Sequence, residues 1–324
     1  MNTFRLAAAV LLLALSVGTY AQPRAASWTP PSYDENYVKT WHDGNAELAS
    51  YTLTYPRYGE LRTGTAVMVT VTEPFDPTAR VKADALRDDT YSVIKLNLAE
   101  DFQTGVYDYN LMTSVFVATE SANGLPPGSP TKVSFSSQEW CGHVYQQALF
   151  GQTKPGTPSA QQTSHSYFEG EADQHLDMEH PQSGLAEDAL ILWARGLAGP
   201  ALKPGESIDV PMYRSLAVQR LQHVRAQWDR ATLSVRKDLT PLRTASGEDL
   251  AVRIYDATVF SDVGDRQYTF YIDSHRRLMK MTRNDGYELE LIDIERLPYW
   301  RLHDNADERE LKKIGLTRRQ PAAM

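Results

Sequence analysis

Glu139, Cys141 and His143 lie at alternating positions of one short segment, residues 136–143 with the sequence SSQEWCGH. If this segment forms a single β-strand, alternate side chains leave it on the same face, so the three project together. A thiol beside an imidazole is the pair that nucleophilic cysteine enzymes use. The pattern therefore makes Cys141, His143 and Glu139 candidate catalytic residues. The alternative interpretation places Cys141 and Trp140 in opposite layers of the core and gives His143 one structural hydrogen bond.

The same side chains also suggest a metal site. Sulfur, nitrogen and oxygen ligands together suit zinc, and His165 from a later segment could join Cys141 and His143. The sequence has no CxxC or HExxH motif that would complete a zinc signature. It also has no GxSxG elbow, Walker loop or GxGxxG motif in a fitting strand-to-helix context. We therefore expect no metal or other cofactor and favour a binding protein over an enzyme.

Several predicted strands carry polar or aromatic side chains on a shared face, which could line a ligand-binding concavity. In residues 91–98 a lysine and an asparagine alternate, and in residues 105–119 two tyrosines do. Residues 165–178 predict another strand, with a histidine, a tyrosine and a glutamate on one face. The alternative is that these faces are simply solvated. The candidate ligand-binding residues are Lys95, Asn97, Tyr107, Tyr109, Gln138, Trp140, His165, Tyr167 and Glu169.

The elements that must position these residues are mainly strands, because apolar and polar residues alternate between turns rich in glycine and proline. Residues 185–197 give the clearest helix pattern, with acidic residues at the start and glycine at the end. We predict a mainly β fold, a large curved antiparallel sheet or incomplete barrel with this one principal helix on or in its concave face. Besides the segments named above, the predicted strands are 47–54, 57–73, 207–213, 226–238, 249–260, 267–273, 278–283 and 287–297.

The N-terminal sequence has the form of a secretory signal peptide, with Arg5, an apolar run from Leu6 to Val17, and small residues before position 22. We expect residues 1–21 to be removed and the protein to be exported, either periplasmic or secreted. Residues 22–36 are then predicted to be a flexible leader, and residues 37–302 a single β-rich domain. That domain could divide into halves 37–184 and 205–302, and residues 303–324 are predicted to be a charged tail.

Composition narrows the classes of partner. The chain has 33 Lys and Arg against 41 Asp and Glu, a formal net charge of −8, and no basic block that could neutralise phosphates. This argues against a nucleic-acid partner. One cysteine cannot form an internal disulfide framework. The N-terminal apolar run is shorter than the roughly 20 residues that span a bilayer, so we expect membrane association to be peripheral at most.

Five segments of the chain carry a family resemblance: RYGELRTG, KLN, TGVYDYN, SQEWCGH and HSYFEGE. They resemble a family of bacterial secreted or periplasmic proteins, some of which carry the name "septum formation inhibitor Maf", over most of residues 40–300. The chain has neither the SPRR-type motif nor the alternating βα pattern of Maf nucleotide pyrophosphatases. The closing segments YTFYIDSHRRLMKM and DGYELELIDIE are similar, at the level of fold, to periplasmic half-barrel proteins of the lipoprotein-carrier kind. The resemblance implies an envelope location and a curved sheet.

Three functions fit these observations. We favour a non-enzymatic envelope protein that binds a lipid or another apolar or amphipathic ligand in a sheet-lined cleft. The first alternative is a periplasmic hydrolase or metal-dependent enzyme centred on Cys141 and the two candidate residues beside it. The second alternative is a structural partner in an envelope complex, which would use a face containing Tyr107, Tyr109 and Tyr167.

Overall fold

The described chain folds around one open β-sheet of 15 strands. The structure is a computed structural model that describes residues 28–152, 157–244 and 247–317. The predicted signal peptide at residues 1–21 lies outside the described residues, as do the first part of the predicted leader and the last seven residues of the predicted tail. The mainly β fold with a large open sheet is confirmed.

The strands form two meanders, and within each meander strands that are consecutive in the sequence are neighbours in the sheet. They are β1 (Ala46–Arg57), β2 (Glu60–Phe75), β3 (Tyr91–Thr104), β4 (Tyr107–Ala118), β5 (Pro130–Glu139), β6 (Gly142–Gly151), β7 (Ser159–Ser166), β8 (Gln174–Glu179), β9 (Leu185–Ala186), β10 (Ser207–Tyr213), β11 (Trp228–Arg243), β12 (Asp249–Phe260), β13 (Arg266–Ile272), β14 (Leu278–Arg283) and β15 (Glu288–Leu297). The helices are α1 (Glu35–Trp41), α2 (Leu190–Ala194) and α3 (Leu216–Gln222), with 3₁₀ turns at Glu169–Glu171, Glu187–Ala189, Tyr299–Arg301 and Asn305–Ile314.

The first and last strands meet in the middle of the sheet. Strands β1 to β8 extend to one side, β15 to β9 extend to the other, and β1 pairs with β15 in antiparallel register. Every other pairing is also antiparallel except the short contact between β9 and β10. Strands β8 and β9 are therefore the two free edges of the sheet.

Most predicted strands are confirmed, because a half-buried strand alternates inward and outward side chains. Strands β10, β12 and β14 have the predicted boundaries, and β13 and β15 differ from them by one residue. A hairpin turn at residues 284–286 joins β14 to β15, and Gly286 there has the positive φ of +93° that such turns favour. The predicted strand 165–178 is wrong, because a 3₁₀ turn and a connection separate β7 from β8 there.

The sheet curls so that its two halves face each other. The Tyr213 hydroxyl on β10 donates to the Gln162 side chain on β7 over 2.6 Å. Phe150 of β6 packs edge-on against Tyr213, with ring centroids 5.1 Å apart. One cluster of buried apolar side chains includes residues from both meanders. The concave face is thus the core of the protein.

The predicted helix 185–197 is shorter than expected and lies inside this core. The chain there runs through β9 and a 3₁₀ turn before α2, and all five residues of α2 are buried, so the helix has no solvated face. A helix that is apolar on every side needs a fully buried position. The carboxylate of Glu187 accepts two hydrogen bonds from Arg266 and one from the Tyr268 hydroxyl, which holds the preceding turn in place. Helices α1 and α3 were not predicted.

Parts of the predicted leader and of the predicted charged tail pack against the rest of the domain. In the expected leader, Trp28 is buried and the Tyr33 hydroxyl donates to the Leu197 carbonyl over 2.9 Å. Helix α1 begins at Glu35, capped by Asp34. In the expected tail, the 3₁₀ segment Asn305–Ile314 packs on β1, where the Ser50 hydroxyl donates to the Ile314 carbonyl. None of the described helices is long and apolar enough to cross a bilayer.

Candidate functional site

The SSQEWCGH segment is a tight hairpin rather than a continuous strand. Strand β5 ends at Glu139, β6 begins at Gly142, and Trp140 and Cys141 form the two-residue turn between them. In the paired strands Gln138 lies opposite His143. The prediction that Glu139, Cys141 and His143 share one strand face is therefore wrong, because the chain reverses between the first and the last of them.

Glu139 points inward and is part of a buried ion pair. Its carboxylate accepts a hydrogen bond from the Arg220 guanidinium on α3, and both side chains are buried. The same guanidinium lies 4.1 Å above the Phe168 ring centroid, in a cation–π contact. Glu139 thus links helix α3 to the end of strand β5.

Cys141 and His143 face solvent, so the alternative interpretation, in which Cys141 and Trp140 belong to the core, is wrong as well. The third candidate zinc ligand, His165, pairs instead with Asp173, its Nδ1 being 2.7 Å from a carboxylate oxygen. No group of three or more His, Cys, Asp or Glu side chains in the described parts of the chain is arranged to hold a metal ion. The structure does not bring these residues together into one site.

The candidate ligand-binding residues divide between the two faces and one end of the sheet. Lys95 and Asn97 lie on the convex face, where the Lys95 ammonium is 2.6 Å from the Glu73 carboxylate. Tyr109 points into the core, whereas Gln138 is exposed on the convex side. Tyr107 is the first residue of β4, and Trp140, Tyr167 and Glu169 lie in connections between strands. These residues do not line one concavity.

A different arrangement appears at one end of the sheet, where exposed apolar side chains project from successive connections. In an antiparallel meander every second connection lies at the same end, so those after β1, β3, β5 and β7 lie side by side. We call these side chains the hairpin rim. They and their exposed fractions are Tyr58 (58%), Leu61 (61%), Val106 (77%), Trp140 (73%) and Tyr167 (64%).

Tight turns present three of the rim side chains. Tyr58-Gly59, Gly105-Val106 and Trp140-Cys141 are each two-residue connections between paired strands. Tyr58 has φ +55° and Gly59 φ +76°, the conformation of a type I′ turn. A side chain in such a turn points away from the sheet and has few neighbours to cover it.

A network of tyrosine and arginine side chains supports the rim from behind. The Arg57 guanidinium donates to the Tyr109 hydroxyl through Nη2 over 3.1 Å and to the Leu221 carbonyl through Nη1 over 3.0 Å. The hydroxyls of Tyr58 and Tyr109 are 2.6 Å apart. Burial raises the pKa of Tyr109 well above its usual range, so its hydroxyl stays neutral. These bonds fix the rim to the core and to α3.

Helix α3 holds the last connection of the rim. The His223 ring at its end bonds the Glu171 carboxylate and packs 5.2 Å from the Phe168 ring centroid. Phe168 follows Tyr167 directly and is itself covered by Arg220. These three contacts, His223 with Glu171, His223 with Phe168 and Arg220 with Phe168, hold the long β7–β8 connection beside the shorter hairpins.

The charged groups around the rim are mainly acidic. Glu169 and Asp173 are exposed, and the Glu60 side chain is 67% exposed. Of the nearby cations, Arg62 is paired with Glu60 at 2.7 Å and Arg57 is used by the tyrosine network. Asp173 lies beside His165, so among these carboxylates Glu169 alone has no ion-pair partner in the described chain.

Tyr167 and Trp140 are among the residues predicted from the sequence to bind a ligand, whereas Tyr58, Leu61 and Val106 are not. The available signal was a large apolar residue next to glycine in a two-residue turn, at Tyr58-Gly59 and Gly105-Val106. Comparison with known proteins gives no family model, curated protein or solved structure that matches this chain.

Proposed function

We propose that the protein is a non-enzymatic interaction module of the cell envelope that binds a partner protein through the hairpin rim. The observation that carries the proposal is the exposure of five large apolar side chains at one end of the sheet, four of them on neighbouring connections and Leu61 at the start of β2. Isolated exposed apolar residues are ordinary on protein surfaces, whereas clusters of them commonly mark interaction sites. The envelope location rests on the N-terminal sequence alone.

The types of residue at the rim suit protein recognition. Tryptophan, tyrosine and arginine are the residues most enriched among those that dominate binding energy. Trp140, Tyr58 and Tyr167 supply the aromatic anchors. The Arg57–Tyr109 network keeps their base rigid, which lowers the entropy lost on binding.

The charges around the rim indicate the chemistry of the partner. Glu169 is exposed without an ion-pair partner in the described chain and would repel an acidic surface and attract a basic one, whereas Glu60 and Asp173 are already paired with Arg62 and His165. We therefore infer a partner with an apolar surface bordered by lysine and arginine side chains. A strongly anionic lipid surface is a poorer fit to the same charges.

The candidate enzyme and the lipid-binding cleft remain predictions, and the rim is better supported than either. The candidate catalytic residues point in different directions, since Glu139 is inside the core and His143 faces solvent. The concave face that could have formed a lipid cleft is filled by residues 185–198 of the chain itself.

A photocrosslinking experiment in cells tests the rim. A benzophenone amino acid is placed at Trp140, and in a matched control at Leu239, which is 55% exposed on strand β11. We expect one defined heterologous adduct from position 140 and none from position 239. The yield should fall when Tyr58 and Val106 are replaced by serine, and also at high salt.

Three results would count against this proposal. Equal crosslinking from both positions would mean that the adducts are unspecific. An adduct only with a second copy of this chain would make the rim a homo-oligomer interface. The purified protein could instead sediment with zwitterionic vesicles. If a Trp140→Ser variant no longer did so, the rim would be assigned to a lipid surface.

A further inference from the structure

A surface cleft with a volume of about 880 Å³ opens at the end of the sheet opposite the hairpin rim. Helix α1 forms one wall, residues 195–202 form a second, and the β13–β14 turn with the end of β15 closes the third side. Trp193 and Tyr255 lie at its base, in edge-on contact with ring centroids 5.6 Å apart. The volume is in the range of small-molecule sites in proteins.

Four arginines line this cleft, and three of them are neutralised by carboxylates of the same chain. The Arg195 guanidinium lies 2.6 Å from Glu47, and that of Arg277 lies 2.6 Å from Asp273. Arg296 is 2.9 Å from Asp43 and lies over the Trp41 ring, 4.9 Å from its centroid. These three ion pairs form part of the cleft walls and contribute little net charge to the cleft.

Arg276 is the fourth arginine, and its charge is not compensated in this way. No carboxylate among the described residues lies within ion-pair distance of its guanidinium. The side chain lies against Gly196, where an added Cβ would come within 2.1 Å of Nη1, so the glycine makes room for it. The backbone of Arg276 has φ +60°, which holds the residue at the tip of the turn.

A second donor in the cleft also lacks a partner. Nη1 of Arg296 is buried and makes no hydrogen bond within the described chain, while Nη2 donates to the Thr40 carbonyl over 2.6 Å. A buried N–H of a charged group without an acceptor is costly. Because this atom is closed to solvent, a ligand in the cleft would reach it only after the side chain moves.

Two further carboxylates, Asp34 and Glu295, line the cleft and keep their negative charge, so Arg276 is a local cation in a cleft of mixed charge. One Asp34 oxygen caps α1 by accepting from the backbone N–H groups of Asn36 and Tyr37, and the other accepts from the Ser32 hydroxyl. Glu295 accepts from the backbone N–H of Arg296 over 3.1 Å and is exposed. His275 beside Arg276 adds a further donor.

We propose that this cleft binds an amphipathic organic anion, with its carboxylate or phosphate head at Arg276. Its apolar body would lie along the side chains of Leu197, Pro200, Leu202, Tyr255 and Ile294. The proposal does not depend on the hairpin rim, which lies at the other end of the sheet.

Fluorescence titration with 11-(dansylamino)undecanoate and with its methyl ester tests this site, because the two probes differ only in the charge of the head. We expect the carboxylate to bind with a Kd about tenfold or more below that of the ester. Arg276→Ala should abolish that difference. The matched control Arg230→Ala, an exposed arginine on β11, should leave it unchanged.

A second variant tests the location independently of charge. Ala201 is exposed in the cleft wall, and Ala201→Trp should block both probes while circular dichroism shows an intact fold. Competition by dodecanoate or by dodecyl phosphate would identify the preferred head group. Equal affinity for the acid and its ester, full binding to Ala201→Trp, or competition by neither amphiphile would overturn the proposal.

Discussion

Arg220 on helix α3 donates to the carboxylate of Glu139 at the end of strand β5, and their side chains are 1% and 3% exposed. The Arg220 Nε and Nη1 atoms are buried without a further partner in the described chain, so Glu139 is the counter-charge of this guanidinium. The pair holds α3 against the hairpin that carries Trp140. It therefore connects the stability of the fold to the shape of the rim.

Replacing Glu139 with alanine should lower the free energy of unfolding by about 3–5 kcal/mol, because Arg220 would remain buried without its counter-charge. Urea denaturation of the purified variant measures this change. Glu169→Ala, at an exposed position of the same end, is the control and should change the value by less than about 0.5 kcal/mol. Similar values for the two variants would show that the buried pair contributes nothing specific.

The buried Glu100 should make the protein less stable as the pH rises through the range from about 4.5 to 7. Burial raises the pKa of this carboxyl from 4.5 to about 7, although the Tyr287 hydroxyl donates to it over 2.8 Å. The folded state then holds a proton that the unfolded state has lost, so deprotonation favours unfolding. At about 1.4 kcal/mol per pKa unit, the loss is roughly 3 kcal/mol above pH 7.

Unfolding by urea at a series of pH values, in the wild type and in Glu100→Gln, checks this dependence. The variant keeps an acceptor for Tyr287 but cannot ionise, so it should be more stable than the wild type above pH 7. Burial likewise raises the pKa of Asp188 to about 6, which adds a decline of the same sign between about pH 4 and 6. Identical pH profiles in the two proteins would contradict the assignment to Glu100.

Gly64→Ala should destabilise the sheet by about 1–3 kcal/mol. An added Cβ at Gly64 in β2 would lie 2.1 Å from the backbone carbonyl oxygen of Asp101 in the neighbouring strand β3. Gly170→Ala is the matched control, since nothing lies within 4 Å of a Cβ there. Thermal unfolding of both variants should show a lower Tm for the first alone.

The Cys141 thiol should react with a maleimide or with Ellman's reagent in the folded protein about as fast as in urea, because it is exposed at the hairpin tip. Cys141→Ser should leave the free energy of unfolding within about 0.5 kcal/mol of the wild type. Protection of the thiol in the native state would contradict the hairpin placement.

The sequence predicted most of the strands because alternation with a period of two depends only on neighbouring residues. Strands β10, β12 and β14 have the predicted boundaries for this reason. Alternation could not decide the structure of the segment with Glu139, Cys141 and His143. Trp140 and Cys141 could either continue a strand or form a two-residue turn. Only the pairing of β5 with β6 decides that Trp140 and Cys141 lie between strands.

Long-range contacts decided the remaining features. The segment around α2 is buried on all sides because the two halves of the sheet close over it, so its helix is shorter than its apolar pattern predicts. The hairpin rim exists because the meander gathers four distant connections at one end. The cleft at the other end depends on Arg276 meeting residues from α1, which lie far from it in the sequence. The strand pattern is thus a local property of this sequence, whereas both candidate binding surfaces arise only from how the sheet brings distant segments together.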